Sequence, residues 1–141
     1  MLVASGCGST GADGTARAAD DDPTAPAVDA DSDLVEKVGG QITSALSLAV
    51  ATGASVPQLR PLARRLSALH RAHLSELSQP DDVEDGEVKG SAETARARLL
   101  RAEEKLQQRL VRAAVEAESG ALAQLFASMA AAIAQERAVA A

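Results

Sequence analysis

Apolar residues after about position 33 recur at spacings of three and four, which is the pattern of amphipathic α-helices. The pattern predicts helices over about 33–52, 55–77 and 91–118, and a fourth helix from a short turn after Gly120 to near the C-terminus. These helices are expected to bury Val35, Val38, Ile42, Ala45, Leu46, Ala49, Leu59, Leu62, Leu66, Leu69, Leu77, Leu99, Leu106, Leu110, Ala114, Leu122, Leu125, Phe126, Met129 and Ile133.

Local signals support the expected helix ends. Residues 79–90 contain Pro80, two glycines and the acidic run 81–85, which is loop composition. Gly120 is suited to a left-handed cap at the end of the third helix. The expected N-terminal caps are Asp33 with Glu36, Ser55 with Gln58, and Ser91. Short connections between helices of similar length favour an all-α, antiparallel up-down-up-down four-helix bundle.

The amino-acid composition is typical of a helical protein and separates an N-terminal tail from a folded domain. Aromatic residues make up 1% of the sequence, and alanine and leucine dominate, which favours helix over sheet. Residues 1–32 are poor in large apolar side chains and are expected to include a disordered linker before the domain at 33–141. The net charge of -6 would repel phosphate backbones, so no nucleic-acid partner is expected.

The single cysteine, Cys7, suggests a membrane anchor. The residues around it, Leu-Val-Ala-Ser-Gly-Cys-Gly-Ser, resemble a bacterial lipobox, in which the cysteine is lipidated and becomes the mature N-terminus. Six residues precede Cys7, too few for a signal peptide, so the expectation requires that the assigned start codon lies inside the true signal peptide. On this interpretation the protein is held on the outer face of the cytoplasmic membrane; otherwise residues 1–32 are an ordinary tail.

Four ionisable residues fall at positions where the helical spacing calls for apolar side chains. His70 and His73 lie near the Leu66 direction of the second helix, and Glu103 lies at the centre of the apolar stripe of the third. Glu136 continues the apolar stripe of the fourth helix. Counting from the turns places Glu103 and Glu136 in one layer, with the histidines nearby.

Three interpretations of these four residues are open. They could form a structural polar layer that fixes helix register, because a buried carboxylate requires a partner. They could instead bind iron or another divalent metal through imidazole and carboxylate ligands. In the third interpretation the helix ends are shifted and some of these residues, above all Glu136, are solvated.

The layout resembles the ferritin-like helical domain of unknown function found in actinobacterial lipoproteins and secreted proteins. The resemblance rests on residues 66–74, 103–110 and 119–123 and would extend from about Asp33 to the C-terminus. It implies a four-helix domain, although the Glu-x-x-His pairs of di-iron proteins do not occur here.

The sequence also bears on function. It contains no motif for nucleophilic or nucleotide chemistry, so the first expectation is a non-enzymatic, lipid-anchored envelope domain without a cofactor. The alternative is a degenerate ferritin-like metal-binding protein or oxidase. A protein partner and self-association are left open.

Overall fold

The computed structural model describes the backbone of residues 26–84 and 86–140, and side chains from residue 30 onward. All regular secondary structure in this part of the chain is helical, without strands, which confirms the predicted all-α class. A short 3-10 turn, Pro57–Leu59, links the first two helices. The four α-helices are α1 (Pro26–Ser55), α2 (Arg60–Glu76), α3 (Ala92–Glu116) and α4 (Gly120–Ala140).

The first helix is longer than predicted at its N-terminus. It begins at Pro26, so the last residues of the expected linker are helical. Asp31 stabilises this extension, because its two carboxylate oxygens accept hydrogen bonds from the backbone N–H groups of Glu118 and Ser119, each at 2.9 Å. An acidic residue assigned to the tail from its composition therefore caps the turn between α3 and α4.

The predicted helix caps have mixed outcomes. Ser91 is the N-cap of α3, as predicted, and its hydroxyl accepts a hydrogen bond from the backbone of Thr94 at 3.2 Å. The capping box expected at Ser55 does not form, because α1 continues through this residue. Its hydroxyl instead accepts a hydrogen bond from the N–H of Val88, at 3.0 Å.

The expectation of a left-handed glycine at position 120 is wrong. Gly120 is the first residue of α4, and the N–H of Leu122 donates to the hydroxyl of Ser119 at 3.4 Å. The left-handed cap occurs after α2 instead, at Ser78, which has a φ of 53°. There the N–H of the next residue, Gln79, donates to the carbonyl of Leu74, as in a Schellman motif.

Contacts at the two ends of the molecule define the helix directions. At one end, the end of α1 lies beside the start of α3, because Ala51, Val56 and Leu59 form one apolar cluster with Val88 and Ala95. At the other end, Asp31 near the start of α1 binds the turn that links α3 and α4. Helices α2 and α3 therefore run in the same direction, and α1 and α4 run in the opposite one.

The predicted up-down-up-down order is therefore wrong at one connection. Residues 77–91 do not turn back at the end of α2 but return along the molecule to the end at which α2 began. Fifteen residues can span about 50 Å, whereas the 17 residues of α2 rise about 25 Å, so the chain has ample length. Val88, which is buried, and Val83, which is partly buried, attach this crossover segment to the core.

Most of the predicted core positions are buried. Besides the cluster at the end of α1, two clusters share the interior along the helix axes. The larger one includes Ile42, Leu46, Phe126, Met129 and Ile133, and the smaller one joins the start of α2 to the end of α4. Val35, Leu69, Ala114, Leu122 and Leu125 are only partly buried and pack at the margin of the larger cluster. No helix in the described ranges is both long enough and apolar enough to cross a bilayer.

Candidate functional site: a buried histidine–glutamate pair

His70 and Glu103 are held between two apolar layers. On α2, His70 is one helical turn from both Leu66 and Leu74, and on α3, Glu103 lies between Leu99 and Leu106. All four leucines are at most 2% exposed. Leu66 and Leu99 belong to the smaller core cluster, whereas Leu74 and Leu106 belong to the larger one. The pair therefore forms a polar layer at the boundary between the two clusters.

The two side chains bind each other directly. Nε2 of His70 lies 2.9 Å from Oε1 of Glu103, and both side chains are fully buried. When Glu103 is ionised it can only accept, so His70 donates its Nε2–H. Helices α2 and α3 run in the same direction and are joined by the long crossover segment, so no tight turn fixes one helix against the other. The hydrogen bond between His70 and Glu103 provides a direct link between them.

The pair leaves two buried polar atoms without a partner among the described residues. These are Nδ1 of His70 and the second carboxylate oxygen, Oε2, of Glu103. Nδ1 is unsatisfied in either protonation state, because it is an unused acceptor in neutral imidazole and an unused donor in the cation. Each unsatisfied buried group costs free energy, so the pair stabilises the fold less than a fully hydrogen-bonded pair would.

His73 lies next to the pair but does not join it. Its ring centroid is 6.2 Å from that of His70, with an edge-on angle of 61° between the planes. Its Nδ1 is also buried without a partner in the described structure. Burial, together with the nearby His70, lowers the pKa of His73 from 6.5 to about 4. His73 is therefore neutral at pH 7.

The placement predicted for Glu136 is wrong. Its side chain is 29% exposed and forms an ion pair with Arg65 of α2, at 3.1 Å between Nε and Oε2. Its neighbour Arg137 reaches Gln107 and Glu104 on α3, so Glu136 lies near the depth of Glu103 but at the edge of the core. Helices α2 and α4 touch at few places, and the long glutamate side chain extends out between them.

The structure therefore joins His70 to Glu103, places the ring of His73 beside that of His70, and separates Glu136 from the pair. Within residues 30–84 and 86–140, no three histidine, cysteine or acidic side chains are arranged to hold a metal ion. Cys7 lies outside the described residues, as does most of the predicted linker. Without a change in conformation, the His70–Glu103 pair can hold a proton between two helices but cannot contact a solute.

Sequence reasoning missed the role of Asp31, because no apolar periodicity marks the first turns of α1.

Comparisons with known proteins add no assignment, since no protein-family model, no curated protein and no solved structure matches the chain.

Proposed function

We propose that this protein is a non-enzymatic helical domain of the cell envelope, anchored to the membrane by a lipid on Cys7, with a binding or structural role. The observation that carries the non-enzymatic part is the enclosure of the His70–Glu103 pair. A general acid or base must come within hydrogen-bond distance of its substrate, and both side chains of this pair are fully buried. In this proposal the pair is structural and fixes the register of α2 against α3.

The anchor rests on the lipobox-like residues that precede Cys7. It is tested by expressing the gene with its upstream DNA in an actinobacterial host supplied with an alkyne fatty acid. We expect fatty-acid labelling and recovery in the membrane fraction for the wild type, and loss of both in Cys7→Ser. A labelled Cys7→Ser variant, or an unlabelled wild-type protein in the soluble fraction, would exclude the anchor.

A second candidate is a degenerate ferritin-like metal-binding protein. One observation favours it, namely the unpartnered buried atoms on His70, His73 and Glu103, which are nitrogen and oxygen donors suited to iron or another divalent metal. The connectivity also supports it, because ferritin-like folds contain one long crossover in place of a tight turn. Metal binding here requires the ring of His73 to turn toward the pair.

Metal analysis of protein purified without a histidine tag separates the two candidates. After reconstitution with Fe²⁺, Mn²⁺ or Zn²⁺, the second candidate requires one metal ion per chain, lost in His73→Ala and retained in the surface control Glu136→Ala. The first candidate requires wild-type protein that retains no metal after desalting.

A further inference from the structure

A shallow groove lies between α1 and α2, and neither His70 nor Glu103 is among the residues that line it. Three arginines of α2 line it, Arg60, Arg64 and Arg71, and its volume is about 510 Å³. The two helices approach closely at its floor, because a Cβ added at Gly53 would lie 3.0 Å from that of Ala63. Of the remaining lining residues, Ala49, Val50 and Ala68 are apolar. Ser67 adds one hydroxyl group.

The charge of α2 is opposite to that of the whole chain. Residues 60–76 contain four arginines and a single acidic residue, in a protein whose net charge is -6. All four cationic side chains are arginine, whose planar guanidinium can bind a carboxylate through two parallel hydrogen bonds. Three of the four lie on one side of the helix, spaced i, i+4 and i+11, so that they form a row about 16 Å long.

These arginines retain binding capacity. Arg64 has neither an ion pair nor a hydrogen bond within the described part of the chain. Arg60 makes only a long contact, 3.5 Å, to the carbonyl oxygen of Gly53. Arg71 lies 3.4 Å from a carboxylate oxygen of Asp81, and both side chains are about half exposed. Asp81 shows that a carboxylate approaches this row from outside α2, and solvent exposure leaves the contact exchangeable.

We propose that this groove binds an acidic amphipathic helix of a partner protein. Carboxylates at the spacing of the arginines would pair with the guanidinium groups, and small apolar side chains on the same face would cover the alanine and valine floor. An anionic bilayer fits less well, because the rest of the chain is acidic and an anionic surface would repel it. The inference rests on the binding role proposed above but not on the lipid anchor.

Calorimetric titration with a synthetic helical peptide tests the proposal. The peptide carries glutamates at the i, i+4 and i+11 spacing, with alanine and leucine on the same face, and a matched peptide carries glutamine instead. We expect saturable binding of the glutamate peptide, weakened by added salt, and about tenfold weaker binding of the glutamine peptide. The double variant Arg64→Gln/Arg71→Gln should bind the glutamate peptide at least about tenfold more weakly than the wild type.

The control variant Arg98→Gln/Arg101→Gln removes the same charge from exposed positions on α3 and should bind as the wild type does. Circular dichroism verifies that each variant is folded. The proposal is overturned if wild-type protein does not bind the glutamate peptide, if the two double variants bind it equally, or if phosphatidylglycerol vesicles bind through Arg64 and Arg71 while the peptide does not. None of these results alters the fatty-acid labelling of Cys7, so the two proposals fail separately.

Discussion

Replacing His70 and Glu103, singly and together, measures what the buried pair contributes to stability. Glu103→Leu leaves an imidazole fully buried without its hydrogen-bond partner, and removal of one member of a buried pair costs about 3 kcal/mol. For a folded part of this size, that loss lowers the melting temperature by roughly 10 °C. His70→Leu should cost a similar amount, because it leaves the buried carboxyl group of Glu103 without its hydrogen-bond partner.

The double variant His70→Leu/Glu103→Leu is expected to recover most of the lost stability. Leucine is close in size to both residues and matches the four leucines around the pair, so the unsatisfied atoms Nδ1 and Oε2 disappear together. We expect its free energy of unfolding to lie within about 1 kcal/mol of the wild type or above it.

Urea unfolding followed by circular dichroism yields the three differences and their coupling free energy. The reasoning predicts a coupling of several kcal/mol. It is refuted if the two single effects simply add in the double variant, because the residues would then act independently.

Three further predictions concern other parts of the structure. The pKa of His73 is lowered from 6.5 to about 4, because burial disfavours the charged imidazole in the folded protein. The free energy of unfolding is therefore highest above pH 6.5, and it should fall by about 3 kcal/mol as the pH falls toward 4. Urea unfolding of His73→Leu should therefore show a shallower pH dependence than the wild type between these values; parallel curves would contradict the assignment. Asp31→Ala removes two hydrogen bonds to the α3–α4 turn and should cost about 1–2 kcal/mol in thermal unfolding, whereas the exposed control Asp33→Ala should cost little; equal losses would reject this role. Gly40→Ala meets nothing within 4 Å and should stabilise α1 by up to about 1 kcal/mol; Gly39→Ala should gain less or destabilise, because its Cβ would lie 2.8 Å from Gln79, and equal gains would show that this contact is unimportant.

The helical spacing was sufficient to predict the fold class and the burial of three of the four candidate residues. His70, His73 and Glu103 all lie near the centres of long apolar stripes, where the direction of a side chain decides its burial. Glu136 shows the limit of that argument. A stripe gives direction only, and burial also requires a neighbouring helix to cover the position, which α2 does not do here.

The helix order could not be predicted in the same way, because the connection after α2 is compatible with a turn and with a crossover. The acidic composition of residues 79–90 indicates a loop but not where the loop leads. The signals that bear on its path are Val83 and Val88, the apolar residues of this segment, which require burial somewhere along the core.

The helix caps were predictable only where they depend on neighbouring residues alone. Ser91 was predictable from local chemistry, whereas the left-handed conformation of Ser78 depends on the path the chain takes after α2.

The central claim is that His70 and Glu103 form a hydrogen bond between α2 and α3 that is shielded from solvent. Proton NMR of the histidine rings tests it most directly. In protein labelled with ¹⁵N-histidine, the account predicts an Nε2–H signal from His70 that exchanges slowly with water at pH 7 and disappears in Glu103→Leu. A His70 ring whose Nε2–H exchanges rapidly, or whose signal is unchanged by Glu103→Leu, would contradict the account.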